Sequence, residues 1–334
     1  MYNNRTIKFR RNEELENLLF SINSDLCSSE DNCISQYRGK DISFPIILIM
    51  GPLRSGTTLF VQWLANTEAF FYPTNLLSRF YQVPIIGAKI QLMLTDPRYN
   101  FRDELGEFIQ QVEYRSENGK TRGVLAPNEF WYFWRRFLPF KDIDYIPDKE
   151  LLEKVDIQTM LAEFAGIIDV FQKPFALKGM ILNYNIPFLS KIFDKIVFVQ
   201  IKREPLANIE SVLQARERQL GRIDEWYSFK IPEFYDLIKL PPIEQVAGQI
   251  HYINRAVTKG LENVPDENKM TVQYEDFCED PQKIYLQLAT KLELQGCTLN
   301  RKYCGEKSFN MTRKQISDRK ILEACRKFKA NVKD

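Results

Sequence analysis

Gly51-Pro52-Leu53-Arg54-Ser55-Gly56-Thr57-Thr58 is the stretch whose reading decides this chain. It follows the apolar run Pro45-Ile46-Ile47-Leu48-Ile49-Met50 and precedes Leu59-Phe60-Val61-Gln62-Trp63-Leu64-Ala65. The first run reads as a buried strand and the second as part of a helix over about 57–66. A glycine-bounded loop between a strand and a helix N-terminus aims amide N–H groups at one spot, where the helix dipole favours an anion. The loop has the G-x-x-x-x-G frame of a nucleotide phosphate loop, but Thr57 stands where the Walker pattern requires lysine. The basic residue is inside the loop, as Arg54.

A second strand-to-helix junction agrees with the first. Ile196-Val197-Phe198-Val199-Gln200-Ile201 reads as a buried strand and runs into Lys202-Arg203-Glu204-Pro205. Pro205 suits the first turn of a helix, where its missing N–H costs nothing. Ser211 follows Arg203 by eight residues. A third junction, Thr271-Val272-Gln273-Tyr274-Glu275-Asp276-Phe277 with Asp280-Pro281 behind it, reads as strand, turn and proline-started helix.

G-x-x-R-S-G-T-T resembles the 5′-phosphosulfate loop of sulfotransferases that use 3′-phosphoadenosine 5′-phosphosulfate (PAPS). The Arg203…Ser211 spacing is similar to the pair that holds the cofactor's 3′-phosphate in that family. The segment Tyr274-Glu275-Asp276-Phe277 resembles the family's late junction. Together the three segments span about residues 44 to 293.

Size and composition fit this class of enzyme. The chain has 334 residues, enough for one large α/β domain. Net charge is only +2, which points away from wholesale nucleic-acid binding. The balance is uneven: residues 301–334 carry net +7 and the rest −5. Most of those basic residues read as a solvated helix face, with some help for a polyanionic ligand. Six cysteines at 27, 33, 278, 297, 304 and 325 contain no C-x-x-C pair, and His251 is the one histidine. No metal site is expected, and the thiols read as free. The N-terminus lacks an apolar signal core, and no run is long enough to span a bilayer. A soluble, cytoplasmic enzyme without a membrane span is expected.

Along the chain, residues 13–26 read as an amphipathic helix and the polar stretch to about 41 as a loop. Residues 75–94 read as helical with a bend at Pro84, and 96–123 as polar and turn-rich. The block Phe130–Phe137 is aromatic, and helical periodicity returns over 148–172. A short strand, Phe175–Lys178, precedes a helix near 185–194. Later helices are expected at 205–219, 242–263, 281–292 and 313–330. Strands alternating with helices imply a parallel sheet covered on both faces. The fold class is therefore α/β, a P-loop-type three-layer sandwich with a central parallel sheet. The expected organisation is an N-terminal helix and polar loop (1–40) followed by a single domain (41–334).

The resemblance implies roles residue by residue. Sulfuryl transfer moves SO₃ in line to an acceptor oxygen, and negative charge grows on the bridging oxygen of the leaving nucleotide. Arg54 inherits the place of the cation at that oxygen. Ser55, Gly56, Thr57 and Thr58 would hold the 5′-phosphate, and Arg203 and Ser211 the 3′-phosphate. Lys178 falls near the acceptor, although Gly179-Met180 replaces the lysine-to-proline pattern of relatives. Ser308, Asn310 and Lys314 fall where relatives close a late loop over the nucleotide. The acceptor is read as a hydroxyl, on a saccharide by family association.

The acceptor hydroxyl must lose a proton, and a positioned side chain usually takes it. Golgi-type relatives carry a glutamate soon after the loop helix, but Tyr72–Arg79 contains none. Glu129, beside the aromatic block, is the candidate base, because partial desolvation raises a carboxylate pKa toward a useful value. Its bland reading is a first-turn glutamate after Pro127. Glu68, Glu107 and Glu113 are the alternatives, while His251 reads as a packed or surface residue. The aromatic block divides between core and a surface on which a sugar or aromatic acceptor could stack. Two rivals remain open: a small-molecule P-loop kinase, which needs lysine at position 57, and a catalytically inactive nucleotide-binding scaffold.

Overall fold

The computed structural model describes residues 5–6, 9–10, 12–106, 112–114, 116–117, 120–140, 144–299, 302–311 and 319–330. In chain order the elements begin with α1 (Glu13–Tyr37), β1 (Ile46–Met50), α2 (Thr57–Asn66) and α3 (Pro84–Thr95). The two-residue strands β2 (Ser116–Glu117) and β3 (Lys120–Thr121) follow, then α4 (Trp131–Phe137), α5 (Asp148–Lys154) and α6 (Ile157–Phe171). Next come β4 (Phe175–Lys178), α7 (Ile186–Ile192), β5 (Ile196–Lys202), α8 (Pro205–Leu220), α9 (Phe234–Leu237) and α10 (Pro242–Leu261). The chain closes with β6 (Lys269–Gln273), α11 (Tyr274–Glu279), α12 (Pro281–Leu294) and α13 (Arg319–Ala330).

Strands β4, β1, β5 and β6 form a sheet in that order, and every pairing is parallel. The strands β4, β1 and β5 are buried along almost their whole length because both faces are covered, while the edge strand β6 alternates buried Met270 and Val272 with exposed Thr271 and Gln273. Ile46, Leu48 and Met50 of β1 enter one core with α6, α7, α8 and α10. Ile47 and Ile49 enter the other, with Phe60 and Trp63 of α2 and Leu288 and Leu292 of α12. The result is a three-layer α/β fold of P-loop type. The chain leaves β1 toward β4 on one side and leaves β4 toward β5 on the other. That reversal opens a crevice at the carboxyl ends of the strands, where α/β sheets bind ligands.

Three local expectations change. Helix α1 does not end near residue 26: it continues to Tyr37, so residues 27–37 are helical rather than loop. Its buried positions are Leu19, Asn23, Glu30 and Ile34, and two of those four are polar, which hides the apolar period. Glu30 is buried because its carboxylate accepts from the amides of Ile85 (2.7 Å) and Ile86 (3.0 Å) at the start of α3. Pro84 does not bend a long helix: it starts α3, after a separate 3₁₀ turn at Leu77–Phe80. The 148–172 stretch breaks before Asp156, whose carboxylate accepts from Thr159 N–H at 3.0 Å and caps α6. Of the aromatic block, Phe130, Phe133, Trp134 and Phe137 are core, while Trp131 and Tyr132 are half-buried. All six cysteines are free thiols.

Candidate active site

The Gly51–Thr58 loop crosses the carboxyl end of β1 and runs into α2. Its shape depends on two glycines with positive φ. A Cβ on Gly51 (φ 142°) would lie 2.6 Å from the Ile201 carbonyl, and one on Gly56 (φ 102°) 2.2 Å from the Tyr274 ring. Arg54 also has positive φ, 62°, a conformation that costs a non-glycine residue roughly 1–3 kcal/mol and clusters at functional sites. Side chains from elsewhere hold the loop in this form. Asn183 exchanges two hydrogen bonds with the Gly51 backbone, each 2.9 Å. Asn208 Nδ2 donates to the Leu53 carbonyl at 2.8 Å, and Arg203 to the Arg54 carbonyl at 2.9 Å. No side chain caps α2, so its first amides face the loop's concavity.

The second expected phosphate site lies beside the first. Arg54 Nε donates to Ser211 Oγ at 3.2 Å, and the Arg203 guanidinium lies 4.7 Å from the centre of the Tyr274 ring. Burial draws the Arg54 pKa below the usual arginine value; neighbouring Arg203 adds to this and the Tyr227 phenol opposes it. Three buried polar atoms here have no hydrogen-bond partner among the described residues: the acceptor Asn208 Oδ1, and Ser55 Oγ and Arg203 Nε, which can donate. A buried donor without a partner is costly, so atoms of this kind fit a site that receives anionic ligand oxygens.

A third cluster comes from three separate segments. Lys178, at the end of β4, donates from Nζ to Thr58 Oγ1 at 3.0 Å and to Glu129 Oε1 at 2.5 Å. Trp131 Nε1 donates to Glu129 Oε2 at 2.7 Å. Lys178 is 7% exposed and Glu129 25%, so the carboxylate is the more accessible member. Glu129 does not sit in a helix first turn: α4 starts at Trp131, after Phe130 in the left-handed region (φ 55°). Asn128 builds this turn. Its Oδ1 accepts from Phe130 N–H at 2.9 Å, and its own N–H donates to the Pro73 carbonyl at 2.7 Å. The turn therefore lies against the 72–79 segment.

Arg54, Thr58, Lys178, Glu129, Arg203 and Ser211 are thus brought to one end of the sheet. The alternatives to Glu129 are placed elsewhere or lie outside the description. Glu68 and Glu113 have exposed side chains, and Glu107 lies outside the described residues. His251 sits on α10 with its ring centre 5.2 Å from that of Tyr252, and burial lowers its pKa. Ser308 and Asn310 are exposed, and Lys314 lies outside the described residues. Asn183, Asn208 and Tyr274 also shape the site, and the sequence reading does not name them as site residues. An asparagine inside an apolar run, as in Ile181-Leu182-Asn183 or Ala207-Asn208-Ile209, was the available signal for two of them. A cleft of about 610 Å³ between α7 and α10, lined by Tyr184, Lys191, Tyr252 and Arg255, contains none of the expected site residues. Among the described residues no three His, Cys, Asp or Glu side chains are grouped to hold a metal, and no helix is long and apolar enough to cross a membrane.

Comparison with known proteins gives the family and the fold. The model of the sulfotransferase family matches residues 45–296, about three quarters of the chain. The chain belongs to the sulfotransferase family, a family of transferases. No curated protein matches it at the sequence level. Among solved structures it is similar to sulfotransferase STF1 from Mycobacterium tuberculosis H37Rv, with 13% identity and a TM-score of 0.50 over 82% of this chain and 74% of that one. It is also similar to sulfotransferase STF9 from Mycobacterium avium, with 17% identity and a TM-score of 0.48 over 75% of this chain. It spans 64% of that protein, just under two thirds. At these identities the likeness concerns the fold.

Proposed function

We propose that this chain transfers a sulfuryl group from PAPS to an acceptor hydroxyl, with a saccharide as the acceptor class. The observation that carries this reading is the link between the two anion sites. Arg54 of the loop and Ser211 of α8 are hydrogen-bonded at 3.2 Å, and Arg203 clamps the same loop. Two anion sites joined this closely suit one nucleotide bearing phosphates at both its 3′ and 5′ positions. PAPS, when bound, supplies the activated sulfuryl group.

The chain's residues then divide the work. The amides of Gly56, Thr57 and Thr58, with the hydroxyls of Ser55, Thr57 and Thr58, hold the 5′-phosphate. Arg203 offers a fork of donors to the 3′-phosphate, and Ser211 adds a hydroxyl. Arg54 stands at the oxygen that gains charge as the bond breaks, where a fixed cation lowers the barrier. Glu129 takes the acceptor proton at its carboxylate. Lys178 ties that carboxylate to Thr58, and so to the loop, through bonds of 2.5 and 3.0 Å. Trp131, half-buried with its N–H on Glu129, offers an indole edge beside the acceptor. A cytoplasmic setting goes with this reading.

The test is ligand stabilisation. Adenosine 3′,5′-bisphosphate should raise Tm because it binds only the folded chain, and magnesium-ATP should do less. Equal or greater stabilisation by magnesium-ATP favours the kinase reading. No response to either favours an inactive scaffold.

A further inference from the structure

The cleft between α7 and α10 holds about 610 Å³, inside the range of about 300–1,000 Å³ that small-molecule sites occupy. None of the residues given a part in sulfuryl transfer lines it. Tyr184 does, half-buried and packed against the larger core. Its ring centre lies 5.6 Å from that of Tyr145 and 6.4 Å from that of Phe229. The chain is pinned on both sides of it. Asn183 is tied to the Gly51 backbone, and Asn185 Nδ2 donates to the Ile146 carbonyl at 2.8 Å. The aromatic lining of the cleft is therefore preformed.

Charge decides what the cleft can take. Lys191, in the last turn of α7, lines it together with Arg255 and Lys259, one turn apart on α10. None of the three has a carboxylate partner among the described residues. Exposed cations elsewhere do: Lys154 meets Glu150 at 2.7 Å, Arg222 meets Asp224 at 2.6 Å and Arg319 meets Glu323 at 2.8 Å. The two carboxylates that line the cleft do not neutralise its cations. Glu233 Oε2 accepts the Tyr184 hydroxyl hydrogen at 3.1 Å, and Glu262 is exposed. The Arg255 guanidinium lies 5.5 Å from the centre of the Tyr252 ring, so the aromatic wall holds it in place. A guanidinium held beside a ring keeps its fork of N–H donors for a planar anion such as a carboxylate.

We propose that this cleft is a second small-molecule site, for an aromatic carboxylate. The ligand's flat body lies on Tyr184 and Tyr252, and its carboxylate is taken by Arg255 with Lys191 and Lys259 around it. The site is separate from that of the nucleotide, and it stands whether or not sulfuryl transfer is the activity of the chain.

7-Methoxycoumarin-3-carboxylate tests this through its own fluorescence, and having no hydroxyl it is no acceptor for transfer. Its neutral counterpart is 7-methoxycoumarin. The wild-type chain should bind the carboxylate about tenfold more tightly than the neutral compound, as expected for one charged hydrogen bond. Arg255→Gln should abolish that preference and leave the affinity for the neutral compound within about twofold. Arg255 is exposed, so its replacement spares the core. Saturating adenosine 3′,5′-bisphosphate should not displace the carboxylate, and Glu129→Gln should bind it as the wild-type chain does. No binding by the wild-type chain, equal affinity for the two compounds, or an unchanged preference in Arg255→Gln overturns the proposal. Displacement by the nucleotide, or weaker binding in Glu129→Gln, also overturns it, because the carboxylate then occupies the transfer site.

Discussion

Arg54 Nε donates to Ser211 Oγ across 3.2 Å, joining the loop after β1 to the second turn of α8. In the sequence the two residues belong to separate expected phosphate sites. In the fold they meet, because β1 and β5 are paired in parallel and the segments that follow them both leave from the carboxyl end of the sheet. This contact places the loop's cation where both sites can influence it.

Arg54→Ala should lower turnover mainly through kcat, since the charge it meets develops in the transition state. Arg54→Lys should retain part of the rate. Steady-state kinetics with labelled PAPS would check both. A loss confined to KM would move Arg54 from the reaction to simple donor binding.

Arg203 has two partners to lose. It clamps the Arg54 carbonyl at 2.9 Å and is read as a 3′-phosphate ligand. Arg203→Ala should therefore weaken adenosine 5′-phosphate somewhat and adenosine 3′,5′-bisphosphate about tenfold more, as expected for a charged hydrogen bond. Calorimetric titration of both nucleotides gives the difference. Equal weakening would leave Arg203 with the structural clamp alone.

Glu129→Gln should preserve nucleotide affinity while lowering kcat by roughly 10²-fold or more. The acidic limb of the pH–rate profile should vanish with it. Lys178 and Trp131 donate to the two carboxylate oxygens, and the amide keeps the shape while accepting from only one of them. An unchanged profile would end the assignment. Glu107 would then be the next residue to replace.

Gly56→Ala places a methyl group within 2.2 Å of the Tyr274 ring, at a φ of 102°. Tyr274 also stacks with Arg203, so relief of that clash disturbs both anion sites. The variant should lose roughly 1–3 kcal/mol of stability and bind adenosine 3′,5′-bisphosphate poorly. Chemical denaturation and thermal shift would read the two effects. Normal stability and binding would show that the loop tolerates a side chain there.

Away from the site, Arg136 bridges the fully buried Glu163 at 2.8 and 2.9 Å, with Glu30 nearby. Burial outweighs this partner, and the Glu163 pKa rises to about 7. A carboxyl raised in the folded state contributes stability that is complete below its unfolded pKa, near 4.5, and is lost as pH rises through about 7. Thermal unfolding from pH 5 to 8 should therefore show wild-type Tm falling more steeply than that of Glu163→Gln. Parallel curves would mean that Glu163 stays ionised throughout. Arg136→Met should cost about 3–5 kcal/mol at pH 8, because it leaves a buried carboxylate unpaired, and less at pH 5.5.

What the sequence determined by itself was the local geometry of anion binding. The run Ile46–Met50, the two loop glycines and Pro205 state strand, turn and helix start in contiguous residues, because backbone preferences are written within a few positions. The continuous apolar strands likewise determined the parallel, doubly covered sheet. Tertiary structure alone decided which side chains meet. Lys178, Thr58 and Glu129 come from segments 49 and 120 residues apart, and they converge because β4 pairs with β1. Asn183 and Asn208 became clamps only where the chain's course set them against loop backbone groups. The length of α1 was concealed for a similar reason. Glu30 and Asn23 are polar residues buried for distant backbone partners, and no local period announces a partner that lies 55 or more residues away in the chain.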